Sequence, residues 1–186
     1  MGVINTTPDS FSDGGKFDTL EKAFAQAQLM IAAGADILDI GGESTRPGSA
    51  AVDEQEELAR TLPLISAIRE ISDIPISIDT NKSTVMRAAI AAGANIINSI
   101  WALRLGDSLQ VAAQLDVPVC LMHMQGTPDT MQQDPRYQDV VAEVLEFLQA
   151  RIDAALAAGI ARHNIIVDPG FGFGKTLEHN LLLLKS

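Results

Sequence analysis

Three stretches of this chain repeat one another. Ala32-Ala33-Gly34-Ala35-Asp36-Ile37-Leu38-Asp39 echoes Ala91-Ala92-Gly93-Ala94-Asn95-Ile96-Ile97-Asn98. A looser copy runs from Ala157-Ala158-Gly159 to Asn164-Ile165-Ile166-Val167-Asp168. Each copy reads as a helix closed by a C′ glycine, then a short β-branched strand ending in a carboxylate or amide. Such units commit a chain to a parallel sheet with helices packed on it.

The helices follow from spacing. Between Asp18 and Ala33, Leu20, Phe24, Ala27 and Ile31 share one face, and Asp18 with Glu21 forms a capping-box-like start. From Asp53 to Ile71, Leu58, Leu62, Ile65 and Ile68 do the same, with Pro63 predicting a kink or a delayed start. A third run, Val140 to Ala158, has Val144, Leu148, Ile152 and Leu156 in register. The strands read as Gly2–Asn5, Asp36–Ile40, Ile76–Asp79, Asn95–Asn98, Val117–His123 and Ile165–Asp168.

Two architectures suit this alternation, a (βα)8 barrel and a doubly wound open sheet. Every strand closes on a polar residue: Asn5, Asp39, Asp79, Asn98, His123 and Asp168. In a barrel all these ends converge on one mouth, whereas in an open sheet only those at the switch point gain from being functional. The expected fold is therefore α/β, a (βα)8 TIM-barrel type. Six units are countable where eight close a barrel, and Ser186 follows the apolar run Leu181–Leu184 with no helix stop signal. Residues 1–186 are thus expected to form one domain cut short, slightly at its N-terminus and by two units at its C-terminus.

Composition narrows the function. With 47% hydrophobic and 20% charged residues the chain is globular. A net charge of −11 argues against a nucleic-acid or anionic-membrane partner. One cysteine rules out an internal disulfide and fits a reducing cytoplasm. Cys120 sits in the apolar run Val117–Met122 and reads as core. No secretory signal or membrane span is visible.

The chemistry sits in loops that follow strands. Gly41-Gly42-Glu43-Ser44-Thr45-Arg46-Pro47-Gly48 supplies glycines for close backbone approach, then a hydroxyl and a guanidinium fork suited to phosphate. Gly170-Phe171-Gly172-Phe173-Gly174-Lys175-Thr176 is no P-loop, because Pro169 stands where the first Walker glycine belongs. Nor do its alternating glycines fit the dinucleotide pattern. The three histidines, His123, His163 and His179, have no partner at zinc spacing. His123 reads as a hydrogen-bonded residue at a strand end rather than as a catalyst. No nucleophile-elbow pattern occurs.

Read together, several motifs carry a family resemblance. They are Asn5-Thr6-Thr7-Pro8-Asp9-Ser10-Phe11-Ser12-Asp13-Gly14-Gly15, Gly42 to Gly48, Ser77-Ile78-Asp79-Thr80, Leu121-Met122-His123-Met124-Gln125-Gly126 and Asp168 to Lys175. In this order, one per strand end, they resemble the dihydropteroate synthases. That family joins p-aminobenzoate to 6-hydroxymethyl-7,8-dihydropterin diphosphate in folate synthesis and releases pyrophosphate with Mg²⁺ present. The resemblance implies that Asn5 holds the Mg²⁺. It further implies that Asp79, Asn98 and Asp168 bind the pterin edge, with Met122 and Phe173 packing on the ring. Thr45 and Arg46 would bind the diphosphate and order the aminobenzoate site, with Phe11 and Pro47 as apolar walls. Arg46, Asp79 and Asp168 are the expected catalytic residues. The parent is expected to be a cytoplasmic homodimer acting on small molecules, with no nucleic-acid or membrane partner.

Elementary chemistry agrees. A pterin shows an amino group and a ring N–H side by side, and a carboxylate accepts both. Asp79, Asp168 and Asn98 also fit a second role, capping helices after strands, and Met122 fits plain core. The long glycine-rich loops Thr6–Phe17 and Gly41–Ala51 are expected to be mobile lids. The chain departs from the family where Ser99 replaces an aspartate, with Trp101 close by, and where strands seven and eight would bring a lysine, an arginine and a histidine. On that ground the 186-residue chain alone is expected to be inactive or nearly so. Two other readings are a methylfolate-binding methyltransferase domain, which shares this barrel, and a non-catalytic fragment that assembles with another piece.

Overall fold

The structure is a computed structural model and describes residues 1–6, 16–44 and 51–186, with nothing described of the side chains at 16–19. Strand β1 (Gly2–Asn5) leads into helix α1 (Lys16–Ala32), then β2 (Leu38–Gly41), α2 (Glu54–Arg69), β3 (Ile76–Asp79), α3 (Ser83–Ala91) and β4 (Ile96–Ser99). Next come α4 (Ser108–Leu115), β5 (Val119–Met122), α5 (Val140–Ala157), a short 3₁₀ turn at Arg162–Asn164, β6 (Ile165–Asp168) and α6 (Leu177–Lys185).

All neighbouring strands pair in parallel, in the order β1-β2-β3-β4-β5-β6. Strand order that never reverses leaves no switch point, so the doubly wound alternative falls away and the sheet is an arc of the TIM-barrel type. Among the described residues β1 and β6 are its edges.

Alternation along each strand separates two faces. Ile4, Leu38, Ile40, Ile76, Ile78, Ile97, Val119 and Leu121 point to the helices and are buried there with Leu64, Ile65, Ile68, Val85 and Met86. The residues between them fall on the concave face. By register that face carries Asn5, Gly41, Asp79, Asn98 and Cys120 at one level. Asp39 and Ser77 lie one step below, and Met122 and Asp168 one step above. One face is therefore apolar and filled, and the other carries the polar strand-end residues with Val3, Ile96 and Ile166 among them.

The echo glycines do what their position predicts. Gly34, Gly93 and Gly159 have φ of 87°, 113° and 98°, just past the ends of α1, α3 and α5. Helix α4 breaks the pattern, since Asp116 takes the left-handed position at φ 51°. Two expected starts are corrected. Helix α1 begins at Lys16, which puts Asp18 inside the first turn and not at the cap. Helix α2 begins at Glu54, well before Pro63, so no delayed start occurs. Asp53 caps it by accepting from the Glu56 amide at 2.8 Å, and three acidic residues in the first turn suit the helix dipole.

Candidate active site

Gly41 ends β2 and leaves a gap between its neighbours. A Cβ there would lie 3.3 Å from Asn5 Oδ1 and 3.6 Å from Asp79 Oδ2. The glycine thus opens the concave face where three strands meet. Gly42 follows and packs on α2, where a Cβ would stand 2.7 Å from Glu57 Cγ.

Asp39 organises the layer below. It is 5% exposed and accepts from Asn98 Nδ2 at 3.3 Å through both carboxylate oxygens. Asn98 thereby presents its Oδ1 as an acceptor. Burial pushes the Asp39 carboxyl above its usual range, against hydrogen bonds from Ser77 and Asn98. Asp79, at the level above, is pushed up to about 8, first by burial and then by the charges of Asp39, Glu57 and Glu43. These charges include an ion-pair cluster at the rim. Lys82 Nζ bonds Glu43 Oε2 at 2.6 Å and Glu57 Oε2 at 2.5 Å, and Glu57 is fully buried.

Asp168 ends β6 and accepts from the Gly170 amide at 2.7 Å through Oδ1. The loop that follows is wound around Lys175. This lysine is 3% exposed and donates to Gly170 O, Phe173 O and His123 Nδ1, each at 2.9 Å. Burial lowers it to about 8, opposed by Asp168. His123 is held in turn by Lys175 and by the edge of Phe147, with ring centroids 4.9 Å apart, and burial lowers it to about 4. It is a neutral, buried acceptor, in keeping with its reading as a hydrogen-bonded residue.

Met122 belongs to a small apolar cluster separate from the main core. Ile100, Met124 and Met131 are buried with it, and Trp101 and Phe173 pack against it. Cys120 is a correction. It is half-buried on the concave face, and burial with Asp168, Asp39 and Asp79 pushes its thiol up to about 12. Strand alternation turns it away from the core residues beside it in sequence.

Ser99 lies on the opposite face of β4. One residue on from Asn98, it faces the helices, is 1% exposed, and accepts from the Leu103 amide at 3.0 Å through Oγ. It acts on the loop and not on the polar face. That loop is strained, because Ala102 and Leu103 have φ of 50° and 56°, a cost of about 1 kcal/mol or more each. Arg151 Nε donates to Ala102 O at 2.9 Å and holds the turn from outside.

The residues expected to meet do meet, so far as they are described. Asp79, Asn98, Met122 and Asp168 share the concave face at its C-terminal rim, and Asn5 lies beside Gly41 and Asp79. Phe173 joins the Met122 cluster from the β6 loop. None of the three polar residues caps a helix, since the caps of α3, α4 and α6 are Lys82, Asp107 and Thr176. Phe11, Thr45, Arg46 and Pro47, with most of both expected lids, lie outside the described residues. A cleft of about 320 Å³ opens at this rim, lined by Asp79, Thr80, Ile100, Trp101 and the start of the β2 loop, Glu43 and Ser44. Asp39 and Lys175 had no role assigned from sequence. The echo pointed to Asp39, which occupies the place of Asn98 in the earlier copy.

Among the described residues no three His, Cys, Asp or Glu side chains group to hold a metal. Asn5 offers a single exposed amide oxygen. A single protein oxygen is compatible with Mg²⁺, which takes most of its ligands from water and phosphate.

The sequential parallel arc and its carboxyl-bearing rim fit the family that the whole chain matches: over residues 1–186 it belongs to the pterin binding enzyme family. Relatives within that family include dihydropteroate synthases. The chain is 52% identical over 186 residues to the dihydropteroate synthase of Haemophilus influenzae, covering 100% of this chain and 68% of the relative. The dihydropteroate synthase of Yersinia pestis, solved as a sulfonamide drug complex, superposes with a TM-score of 0.93 at 50% identity, over 100% of this chain and 67% of that one. That of Xanthomonas albilineans, solved with 4-aminobenzoic acid, gives 0.92 at 52% identity, over 100% and 66%. The chain spans about two thirds of the length of these relatives.

Proposed function

We propose that this chain is the pterin-binding part of a dihydropteroate synthase, which joins p-aminobenzoate to 6-hydroxymethyl-7,8-dihydropterin diphosphate and releases pyrophosphate. The observation that carries it is the grouping of Asp79, Asn98 and Asp168 on one polar face with Met122 above it. Asp168 keeps one carboxylate oxygen beyond its turn bond and accepts N–H groups from the pterin edge. Asn98, with its amide nitrogen bonded to Asp39, accepts through Oδ1. Met122 and Phe173 supply the apolar surface for the ring.

Loss of pyrophosphate from the pterin's CH₂–O carbon leaves a cation conjugated with the ring, and the aryl amine attacks it. Asp168, with the buried carboxyls of Asp39 and Asp79 beside it, favours positive charge on this face. Burial, and then the charges of Asp39, Glu57 and Glu43, hold Asp79 up, and that repulsion is relieved as the charge forms. Thr45 and Arg46 bind the departing diphosphate. Asn5 would hold Mg²⁺, which would supply positive charge to a bound diphosphate. By resemblance to the same family, the enzyme acts in the cytoplasm as a homodimer on these small molecules.

The roles separate under mutation. With the activity carried by the full-length protein, Arg46→Ala lowers turnover by about 10²–10³ while pterin affinity stays within a few-fold. Pyrophosphate release and calorimetric pterin binding read the two effects. Lost pterin affinity with turnover intact contradicts the assignment.

A further inference from the structure

Trp101 is the chain's one tryptophan and stands two residues beyond β4. It lines the same cleft as Asp79. It is half-buried, resting on the apolar cluster that contains Met122 and touches Phe173. The turn behind it is expensive and tightly held. Ala102 and Leu103 carry left-handed φ values and are buried at 0% and 3% exposure. Ser99 accepts both of their amides, through its carbonyl at 2.9 Å and its Oγ at 3.0 Å. Arg104 Nε donates to Trp101 O at 3.1 Å, and its guanidinium lies 5.8 Å from the indole centroid. A strained turn so fully determined from both sides fixes what stands at its tip, and strain of this kind concentrates at ligand sites.

We propose that Trp101 is a ring-binding residue: its indole stacks on the flat face of the pterin while Asp79, in the same cleft, takes the ring's N–H edge. This rests on the pterin reading above. The chemistry favours it twice. Two large π-systems prefer offset stacking. An indole face also attracts the positive charge that develops on the ring-conjugated carbon. Ser99 then has a purpose in this chain. It ties down the turn that displays the tryptophan.

The test is calorimetric titration of the chain with 6-hydroxymethylpterin, alongside thermal denaturation of each variant. Stacking on an aromatic side chain commonly accounts for a tenfold effect or more. Trp101→Leu is expected to bind about tenfold more weakly than the unmodified chain, and Trp101→Phe within about threefold of it. The two variants are expected to share one melting temperature. A Trp101→Leu variant that binds as tightly as the unmodified chain overturns the role of Trp101 and leaves the pterin reading standing. An unmodified chain that does not bind overturns both. Should Trp101→Leu not fold, acrylamide quenching of the single tryptophan in the unmodified chain decides. Its quenching constant is expected to fall about twofold when pterin saturates the site, and an unchanged constant overturns the proposal.

Discussion

Asp79 has the marks of a residue kept for binding at some expense to the fold. Burial and three nearby carboxylates lift its pKa from 3.8 to about 8, so its charge is unwelcome in the ligand-free protein. The sign follows from linkage. With the folded value above the unfolded one, its contribution to stability is whole below pH 4 and is lost as pH rises through about 8. Asp79→Asn removes that dependence. The variant is expected to melt well above the unmodified chain at pH 9 and about level with it at pH 4, while binding pterin more weakly. Melting curves across that range check it, and a gap that stays constant or narrows toward high pH counts against the raised carboxyl.

At the scale of elements, much was legible and the remainder has physical reasons. The glycines at 34, 93 and 159 announced three helix ends because only a left-handed residue closes a helix that way. The rim residues were legible because each follows a β-branched run. Strand boundaries were less so. Expected Asp36–Ile40 became Leu38–Gly41, and Asn95–Asn98 became Ile96–Ser99. The facing of Cys120 was missed because one position along a strand reverses the face. Lys175 was given no role because its partners are two backbone carbonyls and a histidine 52 residues away, which sequence does not display. It holds the β6 loop through Gly170 O, Phe173 O and His123 Nδ1. Lys175→Met leaves these buried acceptors unpaired, at about 1–3 kcal/mol each if nothing relaxes. We expect a clear loss of stability in urea and faster amide exchange at Gly170 and Phe173. Unchanged exchange there would show that the loop stands without its lysine.

For the whole molecule, the decisive feature is sequential strand order. It brings every strand end to one rim and leaves the concave face to the side chains between the apolar positions. That face gathers the carboxyls of Asp39, Asp79 and Asp168, and burial holds the first two above the usual carboxylate range. The readings of Phe11, Thr45, Arg46 and Pro47 rest on resemblance, since those residues lie outside the described part. The central claim, that this face binds a pterin by its edge, meets its most direct test in calorimetric titration of the chain with 6-hydroxymethylpterin, before and after Asp168→Asn. An amide cannot accept two adjacent N–H groups as a carboxylate does. The unmodified chain is expected to bind, and Asp168→Asn at least tenfold more weakly at an unchanged fold. Equal affinity in the two proteins would contradict the claim.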